Sequence, residues 1–307
     1  MLEESNRTSV VLVAYNASAT VVAALDSMVS QTRIPDEIVI VDDCSSDETF
    51  ELASRWSKKS SGTSIRLIRN QINLGAAASR NVGVQACSGD YVIFCDSDDL
   101  MYQDRVAQQM EALQESDVSY VSSIKVYPNH YKTTHINSEY AGSLSFDRAL
   151  KKFLLGEESD SSIFVPSCTL GVRKRKFLEI GGFDSSLVRL EDVDFALRAA
   201  RSDFKFDFDG QVLVRRTATS ASYKSREIEA LAQASLLDRY QAFLNPSEYR
   251  EISAWLRVRK AYFGGNRLAL IPTLMRYLLV SRSPRNRFRA ALKRLDHDRK
   301  IRRNVNS

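Results

Sequence analysis

Three aspartates stand close together at the end of an apolar segment, and their spacing is the clearest sign of chemistry in this chain. The segment VIFCDSDDL, residues 92–100, places Asp96, Asp98 and Asp99 within four positions, and no lysine or arginine follows until Arg105. Hard divalent cations take oxygen ligands, and Mg²⁺ commonly combines one or two carboxylates with substrate phosphates. An acidic turn would also explain the pattern, because aspartate favours turns, but the surrounding motifs favour a seat for a metal and a diphosphate.

Two further acidic clusters fall at similar places along the chain. Asp42 and Asp43 follow the apolar run EIVIV, and Glu191, Asp192 and Asp194 open a later helical pattern. In an open parallel α/β sheet, ligands bind beyond the carboxyl ends of the strands. We therefore expect the clusters to converge on one cleft. Acidic residues at a helix N-terminus also complement the helix dipole, so the later cluster has a purely structural alternative.

The elements that must position these carboxylates alternate between β-rich and helical patterns over the first hundred residues. Apolar runs occur at SVVLVAY (9–15), EIVIVD (37–42), SIRLIR (64–69) and DYVIFC (90–95), and an alanine-rich helical segment occupies 76–86. Nearly continuous apolar runs are typical of parallel strands that are buried on both faces. The alternation predicts right-handed βαβ units in an α/β fold, with an open, mostly parallel sheet flanked by helices.

Beyond residue 100 the pattern becomes mixed, and from about residue 224 it is wholly helical. Residues 103–116 indicate a helix and 118–126 a strand. Residues 250–307 carry 16 Lys and Arg against 3 Asp and Glu, whereas the first 249 residues carry 27 against 35. This split indicates a catalytic body with a basic helical tail. It does not indicate a nucleic-acid binder, because no recognition motif accompanies the charge.

Within the tail, an apolar stripe recurs at helical spacing. It consists of Leu268, Ile271, Met275, Leu278 and Leu279. One interpretation, which we favour, is that the stripe packs on the catalytic body or on a second copy of the chain as a homodimer. The other is peripheral contact with an anionic membrane surface, since each nearby cation would contribute about 1 kcal/mol there.

Composition indicates the class of protein and its compartment. Hydrophobic residues make up 44% of the chain and charged residues 26%, which is ordinary for a soluble globular protein. The four cysteines show no paired spacing, as expected in a reducing cytosol. The polar, acidic start does not resemble a signal peptide, and the apolar run 268–280 is too short to span a bilayer. We expect a cytoplasmic protein, with the inner face of the membrane as the place for any peripheral contact.

Six segments, in this order and spacing, resemble the family 2 glycosyltransferases, which are inverting, nucleotide-sugar-dependent enzymes with a GT-A fold. The resemblance covers about residues 8–217. It implies a GT-A domain at 1–217, with a nucleotide-sugar half at about 1–100 and an acceptor half at about 101–217, before a basic helical extension at 218–307. The segments are SVVLVAYN (9–16), SQTRIPDEIVIVDDCSSDET (30–49), NLGAAASRNVG (73–83), GDYVIFCDSDD (89–99), GGFD (181–184) and LEDVDFALR (190–198).

The resemblance implies donor-binding roles for five residues. Tyr15 matches a tyrosine near the nucleotide base, and Asp43 matches an aspartate that hydrogen-bonds the base, most often uracil. Arg80 matches a basic position that faces the nucleotide. Asp96 would lie near the ribose and the metal, and Asp98, in the D-x-D motif, would be the main ligand of Mg²⁺ or Mn²⁺. Each of these residues could instead have a purely structural role, as a strand cap, a turn residue or a solvated residue on a helix face.

The resemblance also implies a catalytic base. An acceptor hydroxyl attacks an anomeric carbon poorly unless a carboxylate takes its proton, and Asp192 matches that carboxylate. Glu191 would orient the acceptor or the leaving group less directly. Asp99 lies outside the D-x-D core and is expected to be structural.

The chain departs from the family pattern after the strand at 212–216. Many relatives carry a histidine there, near the diphosphate or metal, whereas this chain has Arg216 or Thr217 at the spot. Arg215 or Arg216 could instead hold diphosphate oxygens through charge-assisted hydrogen bonds. The histidines of this chain are His130, His135 and His297.

The resulting prediction is an inverting glycosyltransferase that moves a sugar from a nucleotide-diphosphate sugar, UDP-linked by preference, to a hydroxyl of a glycan or lipid-linked acceptor. Bacterial surface polysaccharide or lipopolysaccharide is the expected product. One alternative is transfer to a polyprenyl phosphate, an acceptor that is already an anion and needs no base. Another is a non-catalytic protein of the same fold that only binds the nucleotide-sugar, although the intact acidic clusters argue against it.

Overall fold

The computed structural model describes residues 6–59, 62–127, 131–134, 142–143, 145–155, 165–217, 226–263 and 266–280. The three histidines lie outside these ranges. The chain divides into two compact units, Met1–Lys152 with Glu157–Ala218, and Phe153–Gly156 with Thr219–Ser307.

The described strands and helices follow the predicted alternation. The strands are β1 (Thr8–Ala14), β2 (Glu37–Asp42), β3 (Ser64–Arg69), β4 (Tyr91–Asp96), β5 (Leu100–Met101), β6 (Val118–Val126), β7 (Tyr131–Thr134), β8 (Gly142–Ser143), β9 (Leu170–Arg173) and β10 (Lys205–Thr217). The helices are α1 (Val21–Val29), α2 (Thr49–Ser57), α3 (Ala76–Ala86), α4 (Arg105–Glu115), α5 (Phe146–Leu155), α6 (Lys174–Glu179), α7 (Glu191–Arg201), α8 (Arg226–Tyr240), α9 (Pro246–Phe263) and α10 (Arg267–Val280).

One mixed sheet runs through the first unit in the order β3-β2-β1-β4-β9-β6-β10-β5. The first four strands are parallel to one another, as predicted. Beyond β4 the sheet becomes mixed, because β9 pairs antiparallel with both β4 and β6, while β10 runs parallel to β6. The carboxyl ends of β2 and β4 therefore lie at the same edge of the sheet, on either side of the end of β1.

Burial separates the inner strands from the edge strand. β1, β2 and β4 are buried along almost their whole length, as their apolar runs predict. The prediction of burial on both faces is wrong for β3, whose residues alternate between exposed and half-buried. The physical reason is its edge position, which leaves one side of β3 without a neighbouring strand and lets Arg66 and Arg69 reach solvent.

Helix α3 lies unusually close to the sheet, and a glycine makes this approach feasible. A Cβ atom added at Gly83 would stand 2.5 Å from Cγ1 of Val11 on β1 and 3.4 Å from Cγ2 of Val41 on β2. Both valines are buried. The glycine therefore sets the depth at which α3, which carries Arg80, sits on the sheet.

In the second unit, α10 has two apolar faces with different surroundings. Leu270, Leu274 and Leu278 pack with Tyr277 against the buried part of α9, where the Trp255 and Tyr277 ring centroids are 5.3 Å apart. The predicted stripe thus splits, because Leu278 packs on α9 while the other members are exposed. Leu268, Ile271, Met275 and Leu279 are the exposed members of the stripe. Within the described ranges, no helix combines the length and apolar character needed to cross a membrane.

Candidate active site

Asp43 lies directly after β2 and organises the loop that leads into α3. Its Oδ1 accepts hydrogen bonds from the Asn70 side chain at 2.8 Å and from Leu74 N at 2.8 Å, and its Oδ2 accepts one from Gly75 N at 2.9 Å. The side chain is buried. A carboxylate oxygen has two lone pairs, so Oδ2 can accept a further donor besides Gly75. Asp43 therefore fixes the loop that leads into α3, and one lone pair of Oδ2 is not used by these three hydrogen bonds.

A hydrogen-bonded path leads from Asp43 to α3. The Asn70 amide, which donates to Asp43, also contacts Oγ of Ser79 at 2.9 Å. Ser79 is the residue before Arg80, and both are buried in α3. This path joins the end of β2 to the arginine of the site, and the sequence pattern had not singled out Asn70 or Ser79.

Arg80 joins the first half of the site to the second. Its Nη2 donates to Oδ1 of Asp96 at 2.7 Å, and its Nη1 donates to Oε1 of Glu191 at 2.8 Å. The arginine side chain is only 7% exposed. Burial alone would lower the pKa of Arg80, but the carboxylates of Asp96 and Glu191 hold this pKa above its ordinary value. Residues separated by 111 positions in the chain thus meet at one guanidinium.

The turn at 181–184 fixes α7 relative to α3. The Asn81 side chain donates to Phe183 O at 2.7 Å and accepts from Phe183 N at 2.9 Å. Arg198 pairs with the buried Asp194 at 2.7 Å and donates to the carbonyls of Ile180 and Gly182. Asp194 therefore braces α7 against this turn, which holds Glu191 and Asp192 in place.

Asp192 sits in the first turn of α7. Leu190, the residue before the helix, adopts a left-handed conformation with φ of 68°, a region that side-chain-bearing residues rarely occupy. Burial and the adjacent Glu191 carboxylate raise the pKa of Asp192 to about 7. A carboxyl group with this pKa is well matched to taking a proton near neutral pH.

The acidic loop after β4 lies beside Cys168, so that carboxylate oxygens and a thiol sulfur that could bind a metal are close together. Single ligand atoms of Asp96, Asp99 and Cys168 all lie within 4.8 Å of one another. Burial and the neighbouring carboxylates of Asp96 and Asp98 raise the pKa of Asp99 to about 7. Burial and Asp96 also raise the pKa of Asp98. This crowding of carboxylates fits a hard divalent cation. Cys168 is a member of the cluster that the sequence did not predict.

Asp99 also has structural partners, as expected for a residue outside the D-x-D core. Its Oδ1 accepts from Thr217 N at 3.0 Å, and its Oδ2 lies 3.9 Å from Nε of Arg216. These contacts tie the acidic loop to the end of β10. Asp98, the second aspartate of the D-x-D motif, is half-buried in the same loop.

Two cations flank the acidic cluster. Arg216, one of the two residues expected where the family pattern places a histidine, is a mostly buried side chain. Burial opposes its charge, but Cys168, Asp99, Asp96 and Asp192 together raise its pKa. Burial and Arg216 lower the pKa of Lys125. Positive charge therefore lies beside the carboxylates.

A third cation lies beneath the acidic loop. Arg105 is fully buried, and its Nε donates to Gln109 at 3.0 Å while its Nη2 donates to Phe94 O at 2.8 Å. Gln109 in turn donates to the carbonyls of Ser119 and Thr169. Arg105 thus holds the end of β4 in place from the interior, where it does not contact solvent.

The two tyrosines near the site differ in exposure. Tyr15, directly after β1, is 52% exposed, so its ring is accessible to a ligand. Tyr120 on β6 is fully buried, and its hydroxyl has no hydrogen-bond partner among the residues that the structure describes. Burial and Asp192 raise the pKa of Tyr120.

The sequence of this chain matches the family model described as Glycosyl transferase family 2 over residues 9–181. An uncharacterized glycosyltransferase of Haemophilus influenzae is 29% identical over 198 residues, which are 62% of this chain and 60% of that protein. The amylovoran biosynthesis glycosyltransferase AmsB of Erwinia amylovora is 29% identical over 212 residues, 67% of each protein. The UDP-Glc:alpha-D-GlcNAc-diphosphoundecaprenol beta-1,3-glucosyltransferase WfaP of Escherichia coli is 32% identical over 123 residues, 40% of this chain and 45% of WfaP. The matches thus span less than two thirds of the Haemophilus and E. coli proteins.

Solved structures share the fold at low sequence identity. The mannosyltransferase PcManGT of Pyrobaculum calidifontis, in complex with GDP-Man and Mn²⁺, superposes with a TM-score of 0.63 at 20% identity, covering 96% of this chain and 82% of that one. S. aureus TarS 1–349 in complex with UDP-GlcNAc gives a TM-score of 0.58 at 18% identity, with 89% and 81% covered. These likenesses confirm the predicted GT-A type of α/β fold with a helical C-terminal region.

Proposed function

The chain belongs to glycosyl transferase family 2, and we propose that it transfers a sugar, with inversion, from a UDP-linked donor to an acceptor hydroxyl. The observation that carries the proposal is the bridge made by Arg80. One buried guanidinium joins Asp96 of the D-x-D loop to Glu191, the neighbour of Asp192. A metal–diphosphate site and a basic carboxylate next to each other are what a single displacement at an anomeric carbon requires.

The donor occupies the cleft at the carboxyl ends of β1, β2 and β4. Tyr15, which is exposed, stacks on the base, and the free acceptor position of Asp43 takes a hydrogen bond from it. Arg80 faces the nucleotide, and Arg216 donates to diphosphate oxygens in place of the family histidine. UDP as the nucleotide is supported by the UDP-GlcNAc complex of TarS and by the UDP-Glc in the name of WfaP.

Asp98 and Asp96 would hold a divalent cation, Mg²⁺ or Mn²⁺, and candidate ligand atoms of Asp99 and Cys168 lie within 4.8 Å of one of Asp96. When bound, this cation neutralises charge on the diphosphate and so stabilises it as a leaving group. The carboxylate donors fit such an ion, and the Mn²⁺ in the PcManGT complex supports the assignment. Arg80 and Arg216 supply the fixed positive charge around the same oxygens.

Asp192 acts as the general base. As the acceptor oxygen bonds to the anomeric carbon, its proton passes to the Asp192 carboxylate, and the carbon–oxygen bond to the diphosphate breaks on the opposite face of the sugar. The products are the glycoside with inverted configuration, the nucleoside diphosphate and protonated Asp192. Glu191, held by Arg80 at 2.8 Å, orients the acceptor and keeps Asp192 in place.

The acceptor is a glycan or a lipid-linked glycan in bacterial surface polysaccharide or lipopolysaccharide synthesis, and the enzyme works at the cytoplasmic side of the membrane. The names of AmsB, an amylovoran biosynthesis enzyme, and WfaP, whose substrate carries a diphosphoundecaprenol group, support this placement. A cytoplasmic location would give the enzyme direct access to nucleotide-sugars.

The test begins with a screen of nucleotide-sugars for donor hydrolysis and transfer in the presence of Mn²⁺. In Asp192→Asn, transfer to hydroxyl acceptors should fall by about 100-fold or more, the usual contribution of a general base, while UDP affinity stays within about twofold. Asp238→Asn, an exposed aspartate of α8, is the matched control. Unchanged turnover in Asp192→Asn would refute the base assignment, and activity retained only with a polyprenyl phosphate would establish the anionic-acceptor alternative.

A further inference from the structure

The exposed face of α10 is an aliphatic surface in an otherwise charged region. Leu268 is 91% exposed, Leu279 83%, Ile271 71% and Met275 57%. These four residues, which we call the outer stripe, recur at spacings of three and four and therefore lie along one side of the helix. The opposite side of α10 already packs on α9 through Leu270, Leu274 and Leu278. The outer stripe is therefore the apolar side of α10 that does not pack on α9.

We propose that the outer stripe lies flat on an anionic lipid bilayer and docks the protein to it. The residues from Leu268 to Leu279 span about 16 Å along the helix at 1.5 Å per residue. A helix in the plane of the interface buries its apolar side about 5–10 Å into the boundary between headgroups and acyl chains. The side chains of the outer stripe can reach this depth while the helix lies on the surface, so no segment has to cross the membrane.

Charge decides between a bilayer and a second copy of the chain. α9 presents Arg250, Arg257 and Lys260 to solvent, and α10 presents Arg276. In the sequence, residues 281–307 add ten Lys and Arg against two Asp. Two such surfaces would repel each other in a symmetric dimer, whereas anionic lipid headgroups attract each basic residue near the surface by about 1 kcal/mol. An apolar stripe within a basic segment therefore fits a lipid surface better than it fits itself.

The proposal goes beyond the glycosyl transfer proposed above, because it depends on no residue of the candidate active site. The experiment is flotation of the full-length protein with vesicles of phosphatidylcholine alone or with about one third phosphatidylglycerol. The outer-stripe variant Ile271→Ser/Met275→Ser/Leu279→Ser should lose about tenfold or more in partitioning to the anionic vesicles, given the hydrophobic transfer of three aliphatic side chains. Arg276→Gln should lose about fivefold, the equivalent of one surface cation.

Ile228→Ser/Leu231→Ser is the matched control, since both residues are exposed on α8 of the same unit. It should partition within about twofold of the unaltered protein. A gain-of-signal variant, Leu279→Trp, should be quenched by brominated lipids in anionic vesicles, whereas Leu231→Trp should not. This second measurement needs no loss of function and is unaffected by any change in folding of the triple variant.

Several results would overturn the proposal. One is equal flotation with neutral and anionic vesicles, and another is flotation of the outer-stripe variant at the level of the unaltered protein. A third is light scattering that shows a dimer which the outer-stripe variant converts to a monomer, with vesicle binding unchanged. Donor hydrolysis, measured without lipid in the same samples, reports on the proposed function separately, so failure of one proposal leaves the other to be judged alone.

Discussion

Arg80 offers the sharpest test of how the site is assembled, because its guanidinium forms ion pairs with both acidic motifs. Replacement by methionine keeps an unbranched side chain of similar length but removes both hydrogen bonds, to Asp96 at 2.7 Å and to Glu191 at 2.8 Å. Asp96 is 29% exposed and Glu191 14%, so both carboxylates would be left partly desolvated without a counter-charge. Breaking a buried pair in this way costs about 3–5 kcal/mol, and water access at Asp96 places Arg80→Met near the lower value, about 3 kcal/mol.

The Arg80–Glu191 contact itself is measured by a double-mutant cycle with Arg80→Met and Glu191→Gln. A hydrogen bond between charged groups contributes about 1.5–3 kcal/mol, so we expect a coupling free energy of about 2 kcal/mol. The chain has two tryptophans, Trp56 in the first unit and Trp255 in the second. In a Trp255→Phe background, the fluorescence of Trp56 reports unfolding of the first unit in guanidinium chloride.

A surface pair provides the control cycle. Lys176 and Glu179 are 3.2 Å apart on α6, with Glu179 47% exposed, and exposed pairs contribute about 0.2–1 kcal/mol. The Lys176→Met/Glu179→Gln cycle should therefore give less than about 1 kcal/mol. Additivity of the Arg80 and Glu191 substitutions to within about 0.5 kcal/mol would show that the two motifs do not share the guanidinium, and the assembly of the site argued above would be refuted.

Four further predictions concern Asp192, Gly83 and Asp98. Asp192 must be deprotonated to act as a base, and with a pKa of about 7 kcat/KM should rise with pH and level off above about 7; a flat profile from pH 5 to 8 would exclude this role. Because the pKa of Asp192 is raised from 3.8 to about 7, the folded chain keeps a proton in this pH range that the unfolded chain loses. The contribution of Asp192 to the free energy of unfolding therefore falls as the pH rises from 3.8 to about 7. Denaturant titrations of Asp192→Asn should lack this dependence on pH. Gly83→Ala should lower the free energy of unfolding by about 1–3 kcal/mol through overpacking, whereas Gly210→Ala, where a Cβ meets nothing within 4 Å, should be near neutral; equal effects would contradict the close approach of α3. Asp98→Ala should weaken UDP binding by tenfold or more in calorimetry with Mn²⁺ and by less than threefold with EDTA, and an unchanged affinity with Mn²⁺ would remove Asp98 from the metal site.

Local sequence pattern was sufficient for the parallel half of the sheet. Nearly continuous apolar runs favour burial, and alternation with helices allows few connections, so β1, β2 and β4 and the helix at 76–86 were predicted almost to the residue. The same reasoning failed for β3, because an apolar run does not reveal whether a strand has a neighbour on both sides. On α10, helical periodicity shows that residues share a face, but it does not reveal that Leu278 packs on α9 while the other members of the stripe are exposed.

The acidic residues of the candidate site could be named from the sequence, because aspartates and glutamates at the ends of strands and helices can be read directly from it. The residues that contact them could not be named in this way. Asn70 and Ser79 link Asp43 to Arg80, and Cys168 stands within 4.8 Å of Asp96 and Asp99, yet each of these is an ordinary residue in its own segment. Such contacts depend on which chain segments the fold brings together.

By itself, the sequence determined the types of chemical group in this protein, the order of its elements and the uneven distribution of its charge, because each of these is local along the chain. Tertiary structure alone decided that Arg80 would meet Glu191 across 111 positions and that burial would shift the pKa of Asp192 to about 7. Distance and dielectric environment are properties of packed neighbours, and packing brings together residues that the order of the chain keeps apart.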